Sequence, residues 1–126
     1  MAFRTPLARA RGLGAAKSGF HHWWLQRVTA VALIPLTVWF GFGIAALPGA
    51  GYADAVVWIS APLNTVLLIS LIIATCYHAA LGLQVFVEDY VHAEWLKIAT
   101  ILTANLFFIL LSLAALYATL RIVLLG

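Results

Sequence analysis

Three long uncharged stretches dominate the chain, separated by short clusters of polar and charged residues. The first runs from Val28 to Leu47, 20 residues, about the ~20 needed for a helix to cross ~30 Å of hydrocarbon. Pro35 falls within it, a kink that neighbouring helices can tolerate, and Pro48-Gly49-Ala50-Gly51 ends it in a short loop that carries Asp54. The second runs from Ala55 to Val87, 33 residues, longer than a perpendicular crossing requires. Its first residues, around Trp58 and Pro62, are expected at the interface and the remainder as a tilted span. The polar segment Glu88-Asp89-Tyr90-Val91-His92-Ala93-Glu94 closes it. The third, Ile98 to Leu120, has 23 residues between Lys97 and Arg121, and Arg121 can snorkel outward from its end. The pattern predicts an all-α membrane protein with three transmembrane helices over about 28–47, 57–87 and 98–120, preceded by a basic amphipathic arm over residues 1–26. Residues 27–126 then form one anchor domain.

Composition agrees with that pattern. Hydrophobic residues make up 65% of the chain and charged residues 9%, with mean hydropathy +1.07. Eleven charged side chains (seven basic, four acidic) cannot solvate the surface of a soluble domain. Charge placement adds orientation. Arg4, Arg9, Arg11, Lys17 and Arg27 precede the first span and no acid accompanies them. This predicts a cytoplasmic (or matrix) N-terminus and a C-terminus on the opposite side. Trp23, Trp24 and Trp95 fall at the expected inner boundary, where indole rings settle.

A basic arm also suits nucleic acid, but this one leads directly into a span, so membrane lipids and not nucleic acid are its expected partner. The stretch resembles a mitochondrial transit peptide in its arginines, yet it is poor in Ser and Thr. A bacterial inner membrane is the simpler location, with the mitochondrial inner membrane as the alternative. No short apolar core follows the charges closely, so a cleaved signal peptide is not expected. Cys76 is the sole cysteine. It excludes an internal disulfide, and covalent c-type haem attachment has no C-x-x-C-H motif to use.

Candidate chemistry lies in the polar residues that hydrocarbon should reject. His78 is ten residues before Glu88, about 15 Å of helix from the inner boundary and so near the bilayer centre. An ionisable group there faces protein or cofactor. Its neutral imidazole suits a haem iron, or a hydrogen bond to a neighbouring helix's carbonyl. Gly82 follows one turn on and Ala79 is also small. Such residues admit a flat macrocycle or close helix packing. His21, His22 and His92 are expected near the inner surface, so a six-coordinate haem would be shared with another chain. Asp89 lies eleven residues from His78 on the same face. With Tyr90 it could bind a quinone carbonyl and relay protons, or form an ordinary interfacial loop. Arg27 could pair with haem propionates, assisted by His21; the alternative for both is a topology signal.

The run from His78 through Gly82 to Asp89-Tyr90 resembles a segment of the small membrane-anchor subunit of succinate dehydrogenase, respiratory complex II. Gln26-Arg27-Val28-Thr29-Ala30 is similar to that family's first-helix start. The likeness covers all three helices. It implies His78 as one axial ligand of haem b, shared with a second membrane anchor subunit. It further implies Asp89 and Tyr90 at the ubiquinone site beside the iron–sulfur subunit, and Arg27 and His21 near the haem propionates. His22 and Cys76 receive no role. The implied activity is succinate oxidation on a flavoprotein subunit, with electrons passing through iron–sulfur clusters to ubiquinone, as in the TCA cycle and respiratory chain. The chain carries no G-x-G-x-x-G and too few cysteines for a cluster, so it would be one non-autonomous subunit of that enzyme. Other readings are a haem-free structural adaptor, or a b-type anchor of a different quinone-linked dehydrogenase or a fumarate reductase.

Overall fold

The computed structural model describes Pro6 and residues 16–49 and 51–126, with side chains from residue 19 onward. Arg4, Arg9 and Arg11 of the basic arm lie outside the described residues, as does the side chain of Lys17. Four helices follow in order: α1, Ala16–Ala45; α2, Tyr52–Ser60; α3, Pro62–Tyr90; and α4, Glu94–Leu125. Three of them are long and apolar enough to cross a membrane, over Gly19–Ala45, Pro62–Tyr90 and Glu94–Leu125. The protein is therefore a multi-pass membrane protein built from three spanning helices.

Two of the spanning helices, α1 and α4, are longer than the uncharged stretches that announced them. Hydropathy marks where side chains meet hydrocarbon, whereas a helix continues until its backbone bonds are interrupted. Thus α1 passes unbroken through Gln26 and Arg27 and holds Pro35 inside it. It ends where Leu47 N–H turns back to the Ile44 carbonyl at 3.1 Å and Gly49 takes a left-handed φ of 77°, a conformation that glycine adopts without steric cost.

The long second stretch is divided in two. Pro62 has no N–H, and its ring crowds the carbonyl four residues earlier, so α2 stops at Ser60. Ala61, held extended as residues before proline are, has φ −61° and ψ 126°. The carbonyls freed by the break find side-chain donors. Asn64 Nδ2 donates to the Trp58 carbonyl at 2.9 Å, and Thr65 Oγ1 donates to Ile59 O at 2.6 Å. At the opposite end of α2, Gly51 N–H donates to Asp54 Oδ2 at 3.0 Å. That carboxylate also suits the positive end of the helix dipole.

Helix α3 is central. It packs on α1 along one face and on α4 along another, while among the described residues α1 and α4 make no packing contact; α2 closes against α3 and α4. The deepest apolar side chains, Leu81 and Val87, accordingly belong to α3. Trp58 of α2 reaches α1, where its ring stacks on Trp39 with centroids 5.3 Å apart and covers Gly43, at which any Cβ would collide with the indole. Between α3 and α4 an apolar groove of ≈ 470 Å³ opens, lined in part by Cys76, Tyr77, Gln84, Asn105 and Ser112.

Candidate functional site

Polar side chains on α1 recur at His22, Gln26 and Thr29, offsets of four and three residues that form one stripe of a helix. The stripe faces α3. Thr29 Oγ1 lies 2.9 Å from His78 Nδ1, and Gln26 Nε2 lies 3.7 Å from where a Cβ on Gly82 would stand. These two contacts define an antiparallel register in which Thr29 meets His78 and Gln26 meets Gly82. A Cβ at Gly82 would meet the Gln26 amide at ordinary van der Waals distance, so α1 runs close to this position without requiring a glycine there.

His78 is half-buried. Its contact is with a side-chain hydroxyl of the neighbouring helix, not with a backbone carbonyl. The same hydroxyl is 2.8 Å from the Leu25 carbonyl and 3.1 Å from that of Gln26. Only Nδ1 of the imidazole is engaged; Nε2 has no hydrogen-bond partner among the described residues.

Register also sets depth. His78 lies two residues past the midpoint of α3, Cys76, and Arg27 lies five residues before Ala32, the midpoint of the apolar segment Gly19–Ala45 within α1, about 3 Å and 7.5 Å of rise respectively. Arg27 is the last charged residue before the uncharged stretch of α1. Two residues from Thr29, it is nearly level with His78. Its guanidinium is exposed and sits 5.6 Å from the Trp23 ring centroid, a cation–π contact one turn nearer the N-terminus.

His21 is exposed on the side of α1 away from this seam, whereas His22 turns into it. His22 Nε2 and Gln26 Oε1 are both buried without a partner among the described residues. A buried polar atom in that state costs about 1–3 kcal/mol. In the sequence Thr29 and Gln26 enter only through the resemblance at the start of the first helix and His22 has no role, although their shared stripe and the pairing of a span-borne Thr with a span-borne His are visible signals.

Asp89 and Tyr90 end α3 at the tip it shares with the start of α4, and both are exposed. Tyr90 packs its ring on Phe86 at 4.7 Å between centroids, leaving 69% of the residue accessible. Neither side chain has a hydrogen-bond partner among the described residues, so phenol and carboxylate stand open side by side. Nearby, Gln84 Nε2 donates to Glu88 Oε1 at 2.9 Å. Among the described residues no three His, Cys, Asp or Glu side chains gather to hold a metal ion, and His78 stands as a single donor.

Comparison with known proteins identifies the family of the chain. The family described as succinate dehydrogenase/fumarate reductase transmembrane subunit matches residues 1–119. The succinate dehydrogenase hydrophobic membrane anchor subunit of Rickettsia bellii (strain RML369-C) is 36% identical over 117 residues, covering 92% of this chain and 93% of its own. The subunit of the same description from Paracoccus denitrificans is 30% identical over 121 residues, 96% of this chain and 93% of its own. The succinate dehydrogenase membrane anchor subunit of Reclinomonas americana is 32% identical over 88 residues, 68% and 73% respectively. No solved structure matches the chain. With three spanning helices and these relatives along most of its length, the chain belongs to the succinate dehydrogenase/fumarate reductase transmembrane subunit family, as a hydrophobic membrane anchor subunit of succinate dehydrogenase.

Proposed function

We propose that this subunit anchors succinate:ubiquinone oxidoreductase in a bacterial cytoplasmic membrane, co-ligates haem b through His78, and contributes Tyr90 and Asp89 to the ubiquinone-reduction site. Its partners are the flavoprotein subunit, the iron–sulfur subunit and a second membrane anchor subunit. The N-terminus lies on the cytoplasmic side, in keeping with the basic residues that precede α1.

The observation that carries this reading is the engagement of His78 through Nδ1 alone. An axial ligand needs one ring nitrogen held by a neighbour and the other left for the metal, and the donor chemistry of His78 fits that demand. When bound, haem b supplies a one-electron store within the membrane. A second ligand to that haem would come from the second anchor subunit, because among the described residues His78 has no companion histidine at its depth.

Arg27 supports the same reading from its position. A guanidinium nearly level with His78 suits an anion, and haem propionates would be carboxylates that it could grip in bidentate fashion. His21 assists from the exposed side of α1. His22, with Nε2 buried and unpartnered, is a further donor on the opposite side of the helix.

At the other site, reduction of ubiquinone to ubiquinol requires two electrons and two protons. Tyr90 donates its hydroxyl hydrogen bond to a quinone carbonyl, and Asp89 beside it accepts and passes protons from the aqueous phase. The exposure of both residues suits a substrate that arrives by diffusion in the membrane.

Replacing His78 with Leu in the assembled complex tests the haem assignment. Loss of the b-type absorbance in the reduced-minus-oxidised visible spectrum is expected. A spectrum like the wild type's would remove His78 as the ligand and favour the haem-free adaptor or a ligand elsewhere.

A further inference from the structure

We propose that Thr29 is a positioning residue for His78. Its hydroxyl holds the imidazole in the tautomer with hydrogen on Nδ1, and so keeps Nε2 as the lone pair that faces iron. This inference rests on the haem reading above and adds a residue to it from a different helix.

The hydroxyl has one proton and three neighbours within hydrogen-bond reach. Two are acceptors only: the Leu25 carbonyl at 2.8 Å and the Gln26 carbonyl at 3.1 Å. The third, His78 Nδ1 at 2.9 Å, accepts or donates according to the tautomer. If Nδ1 bears the hydrogen, it donates to Thr29 Oγ1, and the hydroxyl proton goes to the Leu25 carbonyl, the usual back-bond of a helical threonine. Every hydrogen then has an acceptor. The reverse arrangement moves the imidazole hydrogen to Nε2, where no acceptor exists among the described residues. That leaves an unsatisfied N–H inside an apolar span, the costly outcome. Hydrogen-bond accounting thus selects the Nδ1–H form before any metal arrives.

The same bond has an electronic consequence. An acceptor on Nδ1–H makes the imidazole a stronger donor through Nε2. Stronger donation favours the oxidised iron and lowers the midpoint potential. Thr29 is suited to the task because its β-branched side chain is stiff at χ1 and is pinned further by the Leu25 carbonyl. The hydroxyl therefore does not wander from the imidazole.

Two variants of the assembled complex test the proposal, read by redox titration of the haem absorbance. Thr29→Val keeps the branched shape and removes the hydroxyl; Thr29→Ser keeps the hydroxyl and removes the methyl. The expected result is a positive shift of midpoint potential in Thr29→Val, haem held on the order of tenfold or more weakly, and near wild-type values in Thr29→Ser. Should Thr29→Val assemble without haem, retention of haem at the native potential by Thr29→Ser still supports the proposal. An unshifted potential in haem-loaded Thr29→Val overturns it, as does an equal shift in both variants or loss of haem from both, because packing and not the hydroxyl would then be responsible. The His78→Leu spectrum separates the two levels: haem unaltered in that variant sinks the ligand reading itself, whatever the Thr29 variants do.

Discussion

Arg27 and Tyr90 show how differently a single polar residue can sit in an apolar protein. Arg27 stands about 3 Å of rise from Thr29, supported by Trp23 at 5.6 Å and nearly level with the Thr29–His78 pair. Tyr90 is at a helix end with most of its surface open, its ring braced by Phe86 and its hydroxyl free to meet a ligand. Under the proposed function, Tyr90→Phe removes a donor without altering ring packing. Quinone reduction by the complex is expected to fall by tenfold or more, on the order of 1.5 kcal/mol or above for a hydrogen bond made to a developing charge. Succinate oxidation with an artificial acceptor should persist at the native rate. Equal rates for the variant and the native complex in the quinone assay would take Tyr90 out of the site.

Among the elements, α2 and its junction with α3 carry most of the local design. Pro62 forces a break, Asn64 and Thr65 catch the carbonyls it releases, and the short helix is thereby turned so that Trp58 lies over Gly43 of α1. No side chain fits beneath that ring. Gly43→Val is therefore expected to displace Trp58 and cost about 1–3 kcal/mol, the usual penalty for overpacking. A lowered thermal midpoint of the complex in detergent is the readout, with little change in the haem spectrum because Gly43 is far along α1 from Thr29. An unchanged midpoint would mean that the Trp39–Trp58 stack contributes nothing to holding α2.

For the molecule as a whole, the arrangement of three spans around α3 leaves much apolar surface uncovered: only Leu81 and Val87 are buried among the hydrophobic residues described. Lipid and, under the proposed function, partner helices supply the remaining contacts, and a single histidine at the depth of the proposed haem points the same way. Produced without its second anchor subunit, the chain is expected to reach the membrane but to show no six-coordinate b-type haem in the reduced spectrum. Co-production with that subunit should restore the signal. Stable six-coordinate haem on the solitary chain would show that both axial ligands come from here and that sharing is wrong.

Number of spans, membrane class and the helix that bears His78, Asp89 and Tyr90 could all be read along the chain, because hydrocarbon thickness and uncharged length constrain each other directly. The division of the second stretch was half-visible in Pro62, though α2 as a separate helix was not. Register was decided only by tertiary structure. Which residue of α1 stands across from His78 depends on how two apolar surfaces interlock, and the polar residues that report it, Thr29 and Gln26, look ordinary in a linear reading. Hydropathy ranks residues by the solvent they prefer, while packing determines the neighbour each one receives, as where it turns His22 inward and leaves His21 exposed.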